Sequence, residues 1–188
     1  VWGVQGNQLL SVTTDKAGHR VMRNSSDSTR TVSRHTLAYI LYSVSEMLRH
    51  YTEFDPLDLL IVHAVLNANV INVMNDLTLD EQFSAIDAVE PDTIKLGVSR
   101  AALSRFLSLP LETVRRRVTR LKRLGVLVET KSGLIVSEEN AFKFGNNHEL
   151  QRTNMLLLRK LLRDLARAGI NGPDDLGTRA SSEARRSK

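Results

Sequence analysis

The chain has 188 residues and no cysteine, and its 26 Lys and Arg against 21 Asp and Glu give a net charge of +5. That length supports one sizeable domain, or a small domain with added helices, and a core that needs no covalent staple. The absence of cysteine excludes thiolate zinc fingers, disulfide frameworks and thiol catalysis, and it fits a reducing compartment such as the cytoplasm.

Other classes fall away on spacing. The histidines, His19, His35, His50, His63 and His148, include no pair at the i, i+4 spacing that puts two imidazoles on one helix face. No metal and no cofactor is therefore expected. The apolar run Leu59 to Val62, like every other in the chain, is far short of the roughly 20 residues that span a bilayer, so no membrane partner is expected. The opening VWGVQGNQLLSV has no basic region followed by an apolar core, the pattern of a secretory signal. No Gly-rich phosphate loop and no activated Ser or carboxylate set stands out, so the chain does not read as an enzyme.

In chain order, residues 1–30 are polar and rich in turn formers, which predicts a flexible arm with room for a short hairpin around Lys16 to Gly18. A helical domain is expected over 31–145. Leu37, Ile40, Leu41, Val44, Met47, Leu48 and Tyr51 recur at steps of three and four, one apolar stripe that Asp55-Pro56 then ends. A second helix is predicted from Pro56 to Met74 on Leu59, Leu60, Val62, Val65, Leu66, Val70, Val73 and Met74. Its asparagines, Asn67, Asn69, Asn72 and Asn75, read as solvent-facing or locally hydrogen-bonded groups, with a ligand site shared with His63 as the sharper alternative. The stretch from Asp76 to Asp92 reads as an acidic surface connection with a short helix.

Past Val98 the signals sharpen. Ser99 can cap a helix that opens at Arg100 and turns Ala102, Leu103, Phe106 and Leu107 inward. Pro110 opens the next helix, where a missing N–H is tolerated, and Gly125 closes it. That helix, 111–124, is predicted to bury Leu111, Val114, Val118, Leu121 and Leu124. Beyond it, β-rich runs flank Lys131-Ser132-Gly133 as a hairpin does. A last helix over 146–169 opens with Asn146 and Glu149 as a capping box and carries seven leucines, enough for a packed side and a dimerisation side. Residues 170–188 read as a disordered tail.

Charge is segregated along this order. Nine acidic residues and no Lys or Arg occupy Glu53 to Asp92, whereas Ser99 to Lys131 holds nine basic residues against Glu112 and Glu129. Such a cationic segment presents itself to an anionic partner, most commonly nucleic acid. With about 100° between successive residues, the predicted inward stripe turns Glu112, Thr113, Arg116, Thr119, Arg120 and Arg123 outward and leaves Arg115 and Arg117 on the flanks. Only Glu112 lies at helical spacing to neutralise them.

Helix, short turn, basic amphipathic helix, hairpin: the succession from Ser99 to Glu139, carried by VSRAALSRFLSLPLETVRRRVTRLKRLGVLVETKSGLIV (98–136), resembles the winged helix-turn-helix of bacterial transcription regulators, in the manner of the MarR-like and GntR-like families. The resemblance implies a mainly α fold with a short β-hairpin wing, 126–138, and additional N- and C-terminal helices. It implies a sequence-specific, homodimeric regulator of transcription that binds double-stranded DNA, cytoplasmic and nucleoid-associated. In such proteins the first half of the second helix enters the major groove, so Thr113 and Arg116 are the expected base readers, followed by Thr119 and Arg120. Arg115 and Arg117 are expected on phosphates. Ser99 and Arg100, at a helix N-terminus, are further phosphate candidates, Lys131 at the wing tip would meet the backbone or a minor groove, and Glu112 could accept from a cytosine amino group. A small-molecule effector is compatible with this reading but not indicated. The rival readings are a winged-helix module that binds protein and a non-specific architectural DNA-binding protein; RNA is disfavoured by the lack of surface aromatics.

Overall fold

The computed structural model describes residues 11–14, 20–23, 28–140 and 147–176. It is mainly helical, with two small antiparallel sheets of two strands each. Among the described residues no helix is long and apolar enough to cross a membrane. Contacts divide the chain into two units, one of residues 1–41 with 157–188 and one of residues 42–156.

In the first unit, β1 (Ser11–Thr14) pairs with β2 (Arg20–Arg23), Thr14 opposite Arg20. The ladder lies within the segment expected to be an arm, and the predicted turn between the strands falls outside the described residues. The unit also holds the beginning of α1 (Ser28–His50) and the end of the C-terminal helix, α7 (His148–Arg167). Gly169, in the left-handed region at φ 83°, ends α7, with the Ile170 N–H on the Leu165 carbonyl and the Gly169 N–H on that of Ala166. That double bond satisfies two orphan carbonyls and folds Ile170 back into cover. No residue of α1 or α7 is buried. At the other end of α7, Asn147 caps it by accepting from the Leu150 N–H, so the cap is one residue later than expected; Asn146 lies outside the described residues.

The second unit contains the core. α2 (Pro56–Asn69) is capped by Asp55, which accepts from the N–H groups of Leu57 and Asp58, and it lays Leu59, Ile61, Val62 and Val65 against α5 (Arg100–Leu107) and α6 (Leu111–Arg123). The single helix predicted over 56–74 is two: α2, then α3 (Ile71–Asn75), broken at Val70. The break has a physical cause. The Asn69 carbonyl turns away from the helical ladder to accept from the Leu96 N–H, and no i+4 bond continues through it. Asp76 caps the short α4 (Leu77–Gln82), the helix expected in the acidic connection.

The second sheet consists of β3 (Val128–Thr130) and β4 (Gly133–Ile135), joined by Lys131-Ser132, and Val98 bridges to Leu134 on its other edge. Gly97 and Gly133 permit this bridge. Gly133 has φ 132°, and a Cβ there would lie 2.8 Å from the Val98 nitrogen, while one on Gly97 would lie 2.6 Å from the Gly133 nitrogen. The sheet is tied to α2 by Asn69, which is buried: its amide donates to the carbonyls of Leu96 (2.7 Å) and Leu134 (3.3 Å) and accepts from the Val136 N–H (3.0 Å). Asn72 likewise reaches the Ile94 carbonyl. These two asparagines therefore bond across the fold rather than locally or to solvent, whereas Asn67 and Asn75 are exposed.

Removing the Asn69 amide strands a buried N–H and loosens two carbonyls, a loss of about 2 kcal/mol. Asn69→Ala is expected to lower the unfolding free energy by that amount, seen as a lower urea midpoint with an unchanged slope; a variant as stable as the parent would show that the amide does not hold the sheet to α2.

Candidate nucleic-acid interface

The basic segment folds as α5, a three-residue turn, α6 and the β3–β4 hairpin. Ser99 caps α5 by accepting from the Ala102 N–H at 3.1 Å. α5 ends at Ser108, a non-glycine residue in the left-handed region (φ 53°, ψ 39°), with the Leu109 N–H on the Ser104 carbonyl. The Ser104 hydroxyl closes the turn by donating to the Leu109 carbonyl at 2.6 Å. α5 is short and turns one stripe inward, Leu103 and Leu107 one turn apart, so Phe106, expected inside, lies beside that stripe and is 71% exposed.

α6 buries Val114, Val118 and Leu121 completely, as its period predicts. Leu124 is the second correction: it is exposed, because Gly125 at φ 70° turns the chain and the Val126 N–H bonds the Leu121 carbonyl, giving Val126 the inward place.

The exposed side of α6 is less free than the sequence suggests. Arg117 pairs with Asp55 and with Asp58, and Arg120 pairs with Asp58 and donates to the Glu53 carbonyl at 3.0 Å. Asp58 is 0% exposed. Burial pushes the Asp55 carboxyl up, but the Asp58 N–H, the Arg117 guanidinium and the Leu57 N–H together hold it below the usual carboxylate range. Glu129 on β3 forms a second clamp, bound by Arg100 at 2.5 and 3.0 Å and by Lys122 at 2.5 Å. Glu112 is still the acid at helical spacing, but the expectation that the charge of this helix is otherwise left uncompensated is overturned. Asp55 and Asp58 lie some sixty positions away, at the start of α2, and Glu129 follows α6, so helical spacing could not find them.

Of the ten residues singled out, Ser99 is spent on its cap, Arg100 on Glu129, and Arg117 and Arg120 on the aspartates. Arg115 makes a long 3.4 Å contact with Glu112, and both remain exposed. The Thr119 hydroxyl donates to the Arg115 carbonyl within the helix, which leaves its lone pairs outward. Thr113 is half-buried, and Arg116 is exposed with no acidic partner among the described residues. Lys131 is likewise unpaired and exposed in the two-residue turn of the hairpin. Arg105 and Arg123, which were not singled out, share this condition. Among the described residues, four of the nine cations from Ser99 to Lys131 therefore have no carboxylate partner: Arg105, Arg116, Arg123 and Lys131. Their exposure together with a lack of internal partners is the feature that periodicity alone could not supply.

Two outcomes follow from these pairings. Arg117→Met combined with Arg120→Met leaves the buried Asp58 carboxylate without a cation, and stability measured in urea should fall by about 3 kcal/mol or more. Arg116→Met, the same change at an unpartnered site, should stay within about 0.5 kcal/mol; equal losses would refute the division. The Glu129 carboxyl is held down to about 2, from an ordinary 4.5, first by the Arg100 hydrogen bond and then by Lys122. Because its pKa is lower in the folded state, its contribution is complete above about 4.5 and is lost as pH falls through about 2. Glu129→Gln should flatten the stability profile across that window and leave the neutral range parallel to the parent. No protein-family model, curated protein or solved structure matches this chain, so the meaning of its cationic surface rests on the residues themselves.

Proposed function

We propose that this chain is a sequence-specific DNA-binding regulator of transcription, acting in the cytoplasm on the chromosome, whose α6 enters the major groove while the β3–β4 hairpin lies as a wing on the flanking backbone. The observation that carries the reading is the free arginine face of α6, Arg116 and Arg123 with the exposed Arg115, standing on a helix rigidly fixed by its buried side. The order α2, Val98 bridge, α5, α6, β3, β4 supports it, because that is the order of a winged helix-turn-helix. Arg116 in the first half of α6 has the fork that reads guanine O6 and N7, and Thr113 and Thr119 offer hydroxyls beside it. Lys131 brings an unpaired charge to the wing tip. Arg117 and Arg120 have another role in this reading: they hold α6 in place.

The proposal includes a homodimer. Leu37, Ile40 and Leu41 on α1, and Met155, Leu156 and Leu162 on α7, are exposed, more apolar side chain than a solitary helix surface carries without a partner. A symmetric pair would present two α6 helices to half-sites about one helical turn apart.

Fluorescence anisotropy against a pool of random duplexes at two salt concentrations, followed by sequencing of the bound fraction, tests all of this. Steep salt dependence and an enriched two-fold-symmetric motif are expected. On that motif Arg116→Ala should relax the preference at one position of each half-site, by roughly 1–3 kcal/mol of discrimination. Lys131→Ala should weaken all sequences alike. Salt-sensitive binding without enrichment would replace the regulator with an architectural protein, and no binding would turn the reading towards a protein-interaction module.

A further inference from the structure

The second unit contains a pocket of about 460 Å³ between α2 and the connection that follows α4, and none of its lining residues belongs to α5, α6 or the hairpin turn. That volume suits a small molecule of one ring and a short chain. Phe83, Ile86 and Val136 give it an apolar wall, and its ionisable groups are His63, Glu90 and Lys95.

Their hydrogen bonds decide what it can hold. The Lys95 ammonium is covered, its side chain 6% exposed, and is held by Asp92 at 2.8 Å and by the Val136 carbonyl at 2.9 Å. Its charge is answered, and two of its three N–H groups are used. Asp92 is in turn fixed by the Ser137 hydroxyl and the Glu138 N–H. His63 donates from Nδ1 to the Leu59 carbonyl at 2.8 Å, since a carbonyl can only accept, so Nε2 is the ring nitrogen left for a ligand. Asn69 lines the pocket too, but its amide is spent on the sheet. Glu90 has no cation partner among the described residues and is the one lining charge left unanswered. Around it the chain from Glu53 to Asp92 carries acidic residues and no Lys or Arg.

We propose that this pocket binds a small organic cation, an aromatic or branched alkyl ammonium, with Glu90 taking the charge, His63 Nε2 accepting a further N–H, and the apolar body against Ile86, Val136 and the Phe83 ring, whose face also attracts a cation. An anion of the same shape would meet Glu90 while the lysine is already neutralised. The site goes beyond the DNA-binding reading and does not depend on it.

Isothermal titration of the full chain with phenethylammonium chloride, 3-phenylpropionate and phenethyl alcohol separates the cases, because the three share a ring and differ in charge. The cation should bind one site at millimolar concentrations or below and at least about tenfold tighter than the other two, the factor that one desolvated charge pair supplies. Glu90→Gln, at a half-exposed position, should remove that advantage and leave the alcohol unchanged, whereas Phe83→Ala should weaken all three. No saturable binding of phenethylammonium, an equal or tighter anion, or a preference that survives Glu90→Gln would overturn the proposal.

Discussion

A carboxylate with no exposure to water must be answered by charge, and among the described residues the cations that answer Asp58, in the first turn of α2, are both on α6. The α2 terminus contributes its own share, since Asp55 caps the helix through two backbone N–H groups and then extends its other oxygen to Arg117. A buried ion pair adds little to stability compared with good apolar packing, but it is intolerant of displacement, because a shift that breaks it leaves a charge in the interior. Val114, Val118 and Leu121 would accept a modest rotation of α6 about its axis. The aspartates would not. Two independent constraints, one apolar and one ionic, therefore set the same angle, and the outward stripe from Thr113 through Arg116 to Arg123 is what that angle leaves free.

α2 also frames the hairpin. Asn69, at its last turn, pairs the Val136 N–H and the Leu96 carbonyl and adds a second donor to the Leu134 carbonyl, which already accepts from the Val98 N–H; the Asn69 backbone carbonyl gives up its helical bond to take the Leu96 N–H. The hairpin is short, only three residues to a strand, and two-stranded pieces of that size have little stability of their own. Its position comes from the Val98 bridge, the glycine contact beneath it and Asn69. One helix thus fixes both the basic helix, by its first turn, and the hairpin, by its last.

The elements of this arrangement were legible in the sequence wherever a local rule decides them. Ser99, Gly125 and the period of Val114, Val118 and Leu121 each follow from a cap or a repeat, and each is found where expected. The failures share a cause. Phe106 is outside because the two turns of α5 bury a single stripe through Leu103 and Leu107, and Leu124 because a left-handed glycine redirects the end of α6, where the chain's context overrides a broad apolar reading. Val70 breaks a helix because a distant N–H claims a carbonyl. Of the candidate interface, the helix and its outward face could be read, but not the division of its arginines, since Asp55 and Asp58 lie in an acidic segment that reads as mere charge segregation. Tertiary pairing converts part of that segregation into structure.

The division also bears on how much of the positive charge is usable. The charges of Arg117 and Arg120 are already answered by Asp58, and a phosphate that drew both away would have to exceed the penalty of an uncompensated carboxylate in the interior. Arg100 and Lys122 face a milder version of the same competition, because Glu129 is partly exposed and water can replace them. The cations that contribute at no internal cost are Arg105, Arg116, Arg123 and Lys131, and they are spread over α5, α6 and the hairpin turn rather than concentrated on one helix. A surface built this way gains less from charge alone than the run Arg115 to Arg123 suggests. In the proposed complex it depends correspondingly more on where Arg116 and its neighbouring threonines point, which is the quantity that the buried aspartates hold fixed.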